Sequence, residues 1–257
     1  MRSGINAWIF GSLPVDEKIS MARKLGFEGI ELNYGDDVQD ESGLKVPRDL
    51  ALPSLCTSLF WRYPLNSPDE ETRRKGVSVG ISMAKTAAKL GAGVILVVPG
   101  VNNPSLSYDQ LLALSASSLK QIGKVARDLG ITIGVENVWN KLLYSPVEYA
   151  TFIRELGEGF GAYFDVGNVM EIGHPTQWLK ELQGMIVGVH FKDYDLQSKR
   201  FVPLLQGDVP WKEVMPLLSS YSGFVMVEQG PYRGHPYQAA VDARAAMSTI
   251  FSYAVRP

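Results

Sequence analysis

The fold class predicted by the sequence is α/β, a (β/α)8 TIM barrel, and three observations predict it. The first is length: 257 residues, close to the roughly 250 that one such barrel takes. The second is rhythm, since short apolar runs alternate with helix-period segments along the chain, the order of a parallel sheet wrapped by helices. The third is where polar residues stand. The runs 131–136, 161–165, 186–190 and 224–228 close on Glu136, Asp165, His190 and Glu228. Alternate residues of a strand share a face, so Thr132, Gly134 and Glu136 oppose Ile131, Ile133 and Val135, and Gly188 and His190 oppose Val187 and Val189. Small or polar residues on one face and β-branched residues on the other suit a barrel strand whose outer face packs on helices. Because the four polar residues come last in their runs, they are expected together at the C-terminal mouth. An open doubly wound sheet is the alternative arrangement.

The elements follow in order. Residues 3–9 read as strand one, with Gly4, Asn6 and Trp8 on one face. Residues 15–25 carry a helical period and stop at Gly26, as helices do at glycine. Residues 29–33 are strand two, with Glu31 on the face of Gly29. Between 34 and 53, Gly43, Pro47 and Pro53 leave room for only one short helix. Residues 54–61 read as strand three. A long helix over 69–90 ends at Gly91, and strand four over 94–98 is stopped by Pro99 and Gly100. The helix 111–129 ends at Gly130, directly before strand five. Ser145, Pro146 and Glu148 have the spacing of a capping box with proline at the first helical position, opening a helix to Leu156. After strand six, a short helix over 177–182 leads to strand seven, and helices 211–219 and 239–253 flank strand eight. No linker, repeat or low-complexity tract interrupts the pattern, so residues 1–257 are expected to form one barrel domain.

Composition narrows the function. The apolar fraction of 46% suits a globular core, and a net charge of −2 argues against a nucleic-acid or anionic-membrane surface. Cys56 is the lone cysteine, which leaves no internal disulfide and fits a reducing, cytoplasmic setting. The apolar run 5–10, interrupted by Asn6, is too short and too polar for a signal peptide, and the run 94–98 is too short to span a bilayer. The expected partner is a small molecule, with no nucleic acid and no membrane; a homo-oligomer is compatible with the sequence.

Three carboxylates and an imidazole make a mixed oxygen/nitrogen donor set. It suits manganese, magnesium, cobalt or zinc, with no thiolate to decide among them. A polar strand-end residue taken alone is as often a strand cap or a lysine partner. Four of them at four barrel mouths weigh toward a metal. The segments 136–141, 164–168, 189–193 and 206–209, with 26–31 and 98–100, resemble the xylose isomerase-like family of sugar and sugar-phosphate isomerases and epimerases over nearly the whole chain. The resemblance implies one divalent ion, manganese first, held by Glu136, Asp165, His190 and Glu228. In the ketose 3-epimerases of that family the two glutamates also serve as the acid/base pair, which assigns catalysis to Glu136 and Glu228. The chain departs from the epimerase pattern at Asn168 and Leu142, where those enzymes carry a histidine and a glutamate, so the resemblance does not carry over the particular ketose. The implied chemistry is proton abstraction beside a carbonyl through a metal-stabilised enediolate: one glutamate removes the proton and the other returns it from the opposite face.

Other residues carry weaker expectations. Asn6, Trp8, Asn168, Lys192, Lys141 and Arg233 are candidate substrate contacts, the last three for a phosphate, although solvated lysine and arginine side chains are the commoner case. Trp61 and Trp139 either wall a sugar pocket or pack loops over the mouth. Asp193 is a candidate hydroxyl contact, and Glu31 either supports a metal-holding residue from behind or contacts substrate. His174 and His235, beside prolines, read as bystanders. The glycines at 157, 159 and 161 precede a strand, which rules against a dinucleotide loop. A lyase dehydrating an inosose or a cyclic keto acid shares the first proton abstraction. An endonuclease IV-like phosphodiesterase needs a trinuclear zinc site, against three histidines in all here. A non-catalytic sugar-binding barrel would not need opposed carboxylates.

Overall fold

Strands β1 (Arg2–Asn6), β2 (Gly29–Asn33), β3 (Ser54–Cys56), β4 (Val94–Val97), β5 (Thr132–Glu136), β6 (Phe160–Asp165) and β7 (Ile186–Phe191) run in parallel around a ring. After a hairpin of β8 (Asp193–Asp195) and β9 (Arg200–Val202), β10 (Phe224–Val227) closes it by pairing with both β7 and β1. This is a computed structural model, and it describes residues 1–39 and 43–254. Helices α1 (Val15–Lys24), α2 (Leu59–Arg62), α3 (Glu70–Leu90), α4 (Tyr108–Asp128), α5 (Pro146–Leu156), α6 (Val166–Ile172), α7 (Pro175–Glu181), α8 (Trp211–Leu217) and α9 (Pro236–Ser252) fill the connections. Among the described residues no helix is long and apolar enough to cross a membrane.

The helix termini are written locally. Asp69 caps α3 by accepting from the Thr72 amide, and Gly91 ends it at φ 81, a left-handed conformation that glycine adopts at little cost. The buried face of α3 includes Gly80, where an added Cβ would run into the Ile122 side chain on α4. That small residue sets how closely the two longest helices pack.

Several expectations shift at the ends of elements. Strand one stops at Asn6, because the Asn6 side chain accepts the Trp8 amide at 2.8 Å and starts a 3-10 turn over Ala7–Phe10. Strand three stops at Cys56. The Thr57 hydroxyl then accepts from the Leu59 amide, and the chain enters α2, so Trp61 sits on a helical turn. Ser145 makes no side-chain cap, although Pro146 does open α5 as expected; the capping box stands instead at α4, where Ser107 and Gln110 bond each other's backbone. The described part of 34–53 holds turns and isolated bridges and no helix, and residues 40–42 lie outside the described ones. Besides the 3-10 turn and α2, the sequence reading did not foresee α6, which begins directly at the end of β6, or the β8–β9 hairpin.

The barrel interior positions the site. Cys56, Leu96 and Tyr163, with Val94, form a cluster separate from the outer core between sheet and helices. A Cβ added at Gly134 or Gly188 would collide with the Tyr163 ring, and one at Gly4 with the Met226 thioether. Glycine on the inner face of β5 and β7 therefore admits one tyrosine lying across the barrel. Its hydroxyl reaches Glu31 on β2, at 2.6 Å.

Candidate metal centre and active site

Four strands deliver four donors. Glu136 is the last residue of β5 and Asp165 the last of β6, His190 is one residue from the end of β7, and Glu228 follows β10, its amide donating to the Phe191 carbonyl at 3.0 Å. One donor atom from each lies within 4.8 Å of the others. Asp165 also caps α6, its Oδ1 accepting from the Asn168 amide at 2.8 Å. That leaves Oδ2 for the cluster. Asp165 Oδ2, His190 Nδ1 and Glu228 Oε2 are buried without a hydrogen-bond partner. Such atoms are costly to bury unless something engages them, and a shared divalent cation would engage all three. The residues fit the ion that the donor set implies.

His190 is held from behind. Its Nε2 lies 2.6 Å from Glu31 Oε2, while its Nδ1 lies 2.9 Å from Glu228 Oε2 and 3.7 Å from both Glu136 Oε1 and Asp165 Oδ2. Glu31 is fully buried, and three further donors fix it: Asn6 Nδ2 at 2.7 Å, Ser54 Oγ at 2.6 Å and the Tyr163 hydroxyl. Burial works against its charge, but the adjacent His190 and these donors hold its carboxyl below the ordinary value. A carboxylate on one imidazole nitrogen directs the other toward a metal and makes it more basic.

The charges around the cluster are uneven. Burial pushes the Glu136 carboxyl up to about 7, against the pull of His190 and Lys192. Burial also acts on Glu228, but there Lys192 and His190 prevail and hold it below the usual carboxylate range. Burial is the largest influence on Asp165 and raises it. Lys192, two residues beyond His190 on the same face, places its Nζ 2.9 Å from Asp165 Oδ2 and 2.5 Å from Glu228 Oε2. The ammonium compensates part of the charge of the two carboxylates. Exposure divides the four donors: the Glu136 and Glu228 side chains are 9% and 20% accessible, against 1% and 0% for His190 and Asp165.

A cleft of about 1000 Å³ opens above them. Glu136, His190 and Glu228 form its floor, and its wall comes from Trp8, Lys18, Asp37 and Trp61 on the loops after β1, β2 and β3.

The pattern of the xylose isomerase-like TIM barrel family matches residues 19–250. The chain belongs to that family. Among curated relatives, it is 27% identical over 233 residues to L-ribulose-5-phosphate 3-epimerase UlaE of Escherichia coli (strain SMS-3-5 / SECEC), covering 82% of this chain and 81% of that one. It is 26% identical over 173 residues to the uncharacterized protein MJ1311 of Methanocaldococcus jannaschii, covering 63% and 59%. Among solved structures, the IOLI protein with a binding zinc atom superposes with a TM-score of 0.86 at 17% identity over all of both chains. D-psicose 3-epimerase in the presence of D-fructose gives 0.78 at 18%, over 99% of each. At those identities the structures show the shared fold.

Within this family barrel the six expected substrate contacts separate. Trp8, 50% exposed, lines the cleft, as does Trp61. Asn6 is buried and turned to Glu31 and to the Cys56 sulfur. Asn168 gives its amide to the Asn137 carbonyl at 2.9 Å, and its own carbonyl accepts Trp139 Nε1. Lys192 sits among the donors, while Lys141 and Arg233 are exposed on loops outside the cleft lining. Trp139 stacks on Phe201 of the hairpin at 4.7 Å and packs a loop over the mouth. Asp193 is buried and accepts from the amides of Tyr194, Leu205 and Val209 and from Trp211 Nε1, which ties down the 193–211 connection. His174 and His235 are exposed at the N-caps of α7 and α9.

Sequence reasoning missed the network beneath the ligands. Asn137 accepts the Asp165 amide and donates to its carbonyl, locking the ends of β5 and β6 together. Tyr163 and Ser54 had a usable signal, since each stands two residues before the mouth-proximal residue of its strand and so faces inward. What their hydroxyls would meet was not readable.

Proposed function

We propose that the chain is a divalent-metal-dependent isomerase or epimerase of a ketose, with Glu136 and Glu228 as its proton-transferring pair. The uneven exposure of the four donors carries this reading: Asp165 lies outside the cleft lining and His190 meets the floor at only 1% exposure, whereas the two glutamates are the more open to it. Purely ligating residues have no need to meet substrate; catalytic bases do. The UlaE relatives are named as 3-epimerases, which supports an enzyme of the isomerase class. The oxygen-rich donor set supports manganese first, with magnesium, cobalt or zinc as alternatives.

Glu136, Asp165, His190 and Glu228 would hold a divalent ion, which would supply the Lewis-acid charge that removal of a weakly acidic proton beside a carbonyl requires. Glu136 ends β5 and Glu228 follows β10, which β6 and β7 separate on the ring. A ketose lying between them shows one face of its reacting carbon to each carboxylate. One glutamate takes the proton from that carbon and the other returns a proton to the opposite face, inverting it. Glu31 keeps His190 in the tautomer that leaves Nδ1 free. Trp8 and Trp61 wall the cleft and limit water around the sugar.

The test is NMR of a ketose panel in D₂O with manganese-loaded protein. Deuterium at C3, abolished by a chelator, is the expected outcome. Exchange at C1 or C2 would make the enzyme an aldose–ketose isomerase, loss of water would make it a lyase, and exchange indifferent to chelation would overturn the metal's part.

A further inference from the structure

We infer that the substrate is an unphosphorylated, neutral ketose; the inference rests on the sugar isomerase reading and deepens it. The lysines that reach the cleft and its floor are already committed to carboxylates. Lys18 lines the cleft from α1, and its Nζ lies 2.6 Å from Asp37 Oδ1, with both side chains almost wholly buried at 6% and 2% exposure. The other Asp37 oxygen accepts from the Asn33 amide and from Asn33 Nδ2, at 2.8 and 3.0 Å. The Lys18 charge is therefore compensated, and both Asp37 oxygens engaged, before any ligand arrives. Lys192 is likewise held between Asp165 and Glu228.

Among the described residues, the rest of the wall is acidic or neutral. Asp36, exposed, lines the same end of the cleft as Asp37. The first turn of α1 borders the cleft through Val15 and Lys18, and its Asp16 and Glu17, outside the lining, offset the positive end of the helix dipole. The neutral groups open to a ligand are the exposed Ser12 and Ser58, with the indoles of Trp8 and Trp61, which are 50% and 49% exposed; Asn33 and Thr57 also line the cleft but are bonded to Asp37 and to the Tyr34 carbonyl. Hydroxyls and aromatic faces match the alternating hydroxyl and C–H surfaces of a sugar chain. A phosphate dianion would face the exposed Asp36 and a lysine whose charge Asp37 already compensates, and drawing Lys18 away would break a buried ion pair and strand Asp37. Placing carboxylates where a competitor's charge would sit is a common way to reject it. Lys141 and Arg233, the remaining phosphate candidates, stand outside this lining. The inferred preference is opposite to the phosphorylated substrate in the names of the UlaE relatives.

The experiment compares kcat/KM for a ketose and its terminal phosphate, the same carbon skeleton in each pair, using manganese-loaded protein and deuterium exchange as the readout. The free sugar is expected to win by tenfold or more, and inorganic phosphate at millimolar concentration is expected not to inhibit its turnover. Asp37→Asn, which removes the carboxylate that neutralises Lys18, should narrow the ratio by improving the phosphate ester. Because that variant leaves a buried lysine unpaired and risks its fold, the wild-type ratio stands as the deciding number. Equal use of both forms, or preference for the phosphate, would overturn the inference and leave the isomerase reading intact. Exchange into neither form across the panel would remove both.

Discussion

The two halves of the barrel mouth are built differently. The metal half is carried by strands: Glu136 and Asp165 end β5 and β6, His190 lies within β7 and Glu228 directly follows β10. Beneath them Glu31, Tyr163, Ser54 and Asn6 form a closed hydrogen-bonded layer inside the barrel. The substrate half is carried by loops. Trp8 sits on a 3-10 turn, Lys18 on α1, Asp36 and Asp37 in the turn after β2, and Trp61 on the single turn of α2. Strand-borne donors cannot move without breaking the sheet, so the donor geometry is preorganised. Under the proposed function the loops would choose among sugars, and they can change with little cost to the barrel.

That division predicts which variants lose metal and which lose only substrate. The largest effect belongs to His190→Ala, which removes the donor at the centre of the cluster. Metal analysis after dialysis should find the ion nearly gone, against about one per chain in the wild type. Three ions per wild-type chain would break the account in favour of a trinuclear hydrolase. Next is Glu31→Gln, which touches no metal directly. An amide there can present N–H to the imidazole where a carboxylate accepted, and loss of such a support typically costs 10–100-fold in metal affinity. Titration with manganese measures it, and unchanged affinity would reduce Glu31 to a packing residue.

A third variant works from inside the barrel. Gly188→Ala puts a methyl group against the Tyr163 ring, and overpacking of this kind costs about 1–3 kcal/mol. Urea denaturation should show the loss, with weakened metal binding as Tyr163 is pushed away from Glu31. The smallest metal effect is expected from the loop half. Trp8→Ala or Trp61→Ala should raise KM several-fold, consistent with about 1 kcal/mol of lost aromatic contact, and leave manganese affinity unchanged. If either tryptophan variant loses metal as Glu31→Gln does, the two halves are not independent.

The same division explains how much was legible in the sequence. Period-two alternation is strict in a barrel strand, so a polar residue closing an apolar run marks the mouth, and the four donors were readable as one set. Asn6 was placed on the inner face by the same alternation, but its role under Glu31 was not, because hydrogen bonds across 25 residues leave no local trace. Trp8 and Trp61 were read as strand residues. They lie on helical turns, because Asn6 and Thr57 each bend the chain with a side-chain bond to a following amide. Asn168 and Asp193 looked like sugar contacts for their polarity alone; in the fold that polarity is used on backbone groups of neighbouring loops. The Lys18–Asp37 pair joins a helix to a turn 19 residues on and depended on tertiary structure to appear.

The central claim is that two glutamates on opposite sides of one ligand cluster share the proton work, and isotope exchange tests it most directly. Glu136→Gln and Glu228→Gln each keep an oxygen donor while removing a base, so both variants are assayed at measured metal occupancy in D₂O against both epimers of the preferred ketose. The account predicts that each loses net epimerisation by about a hundredfold or more, yet still exchanges solvent deuterium into one epimer only, a different epimer for each variant. Near-normal epimerisation by either metal-loaded variant, or exchange into the same epimer by both, would contradict it.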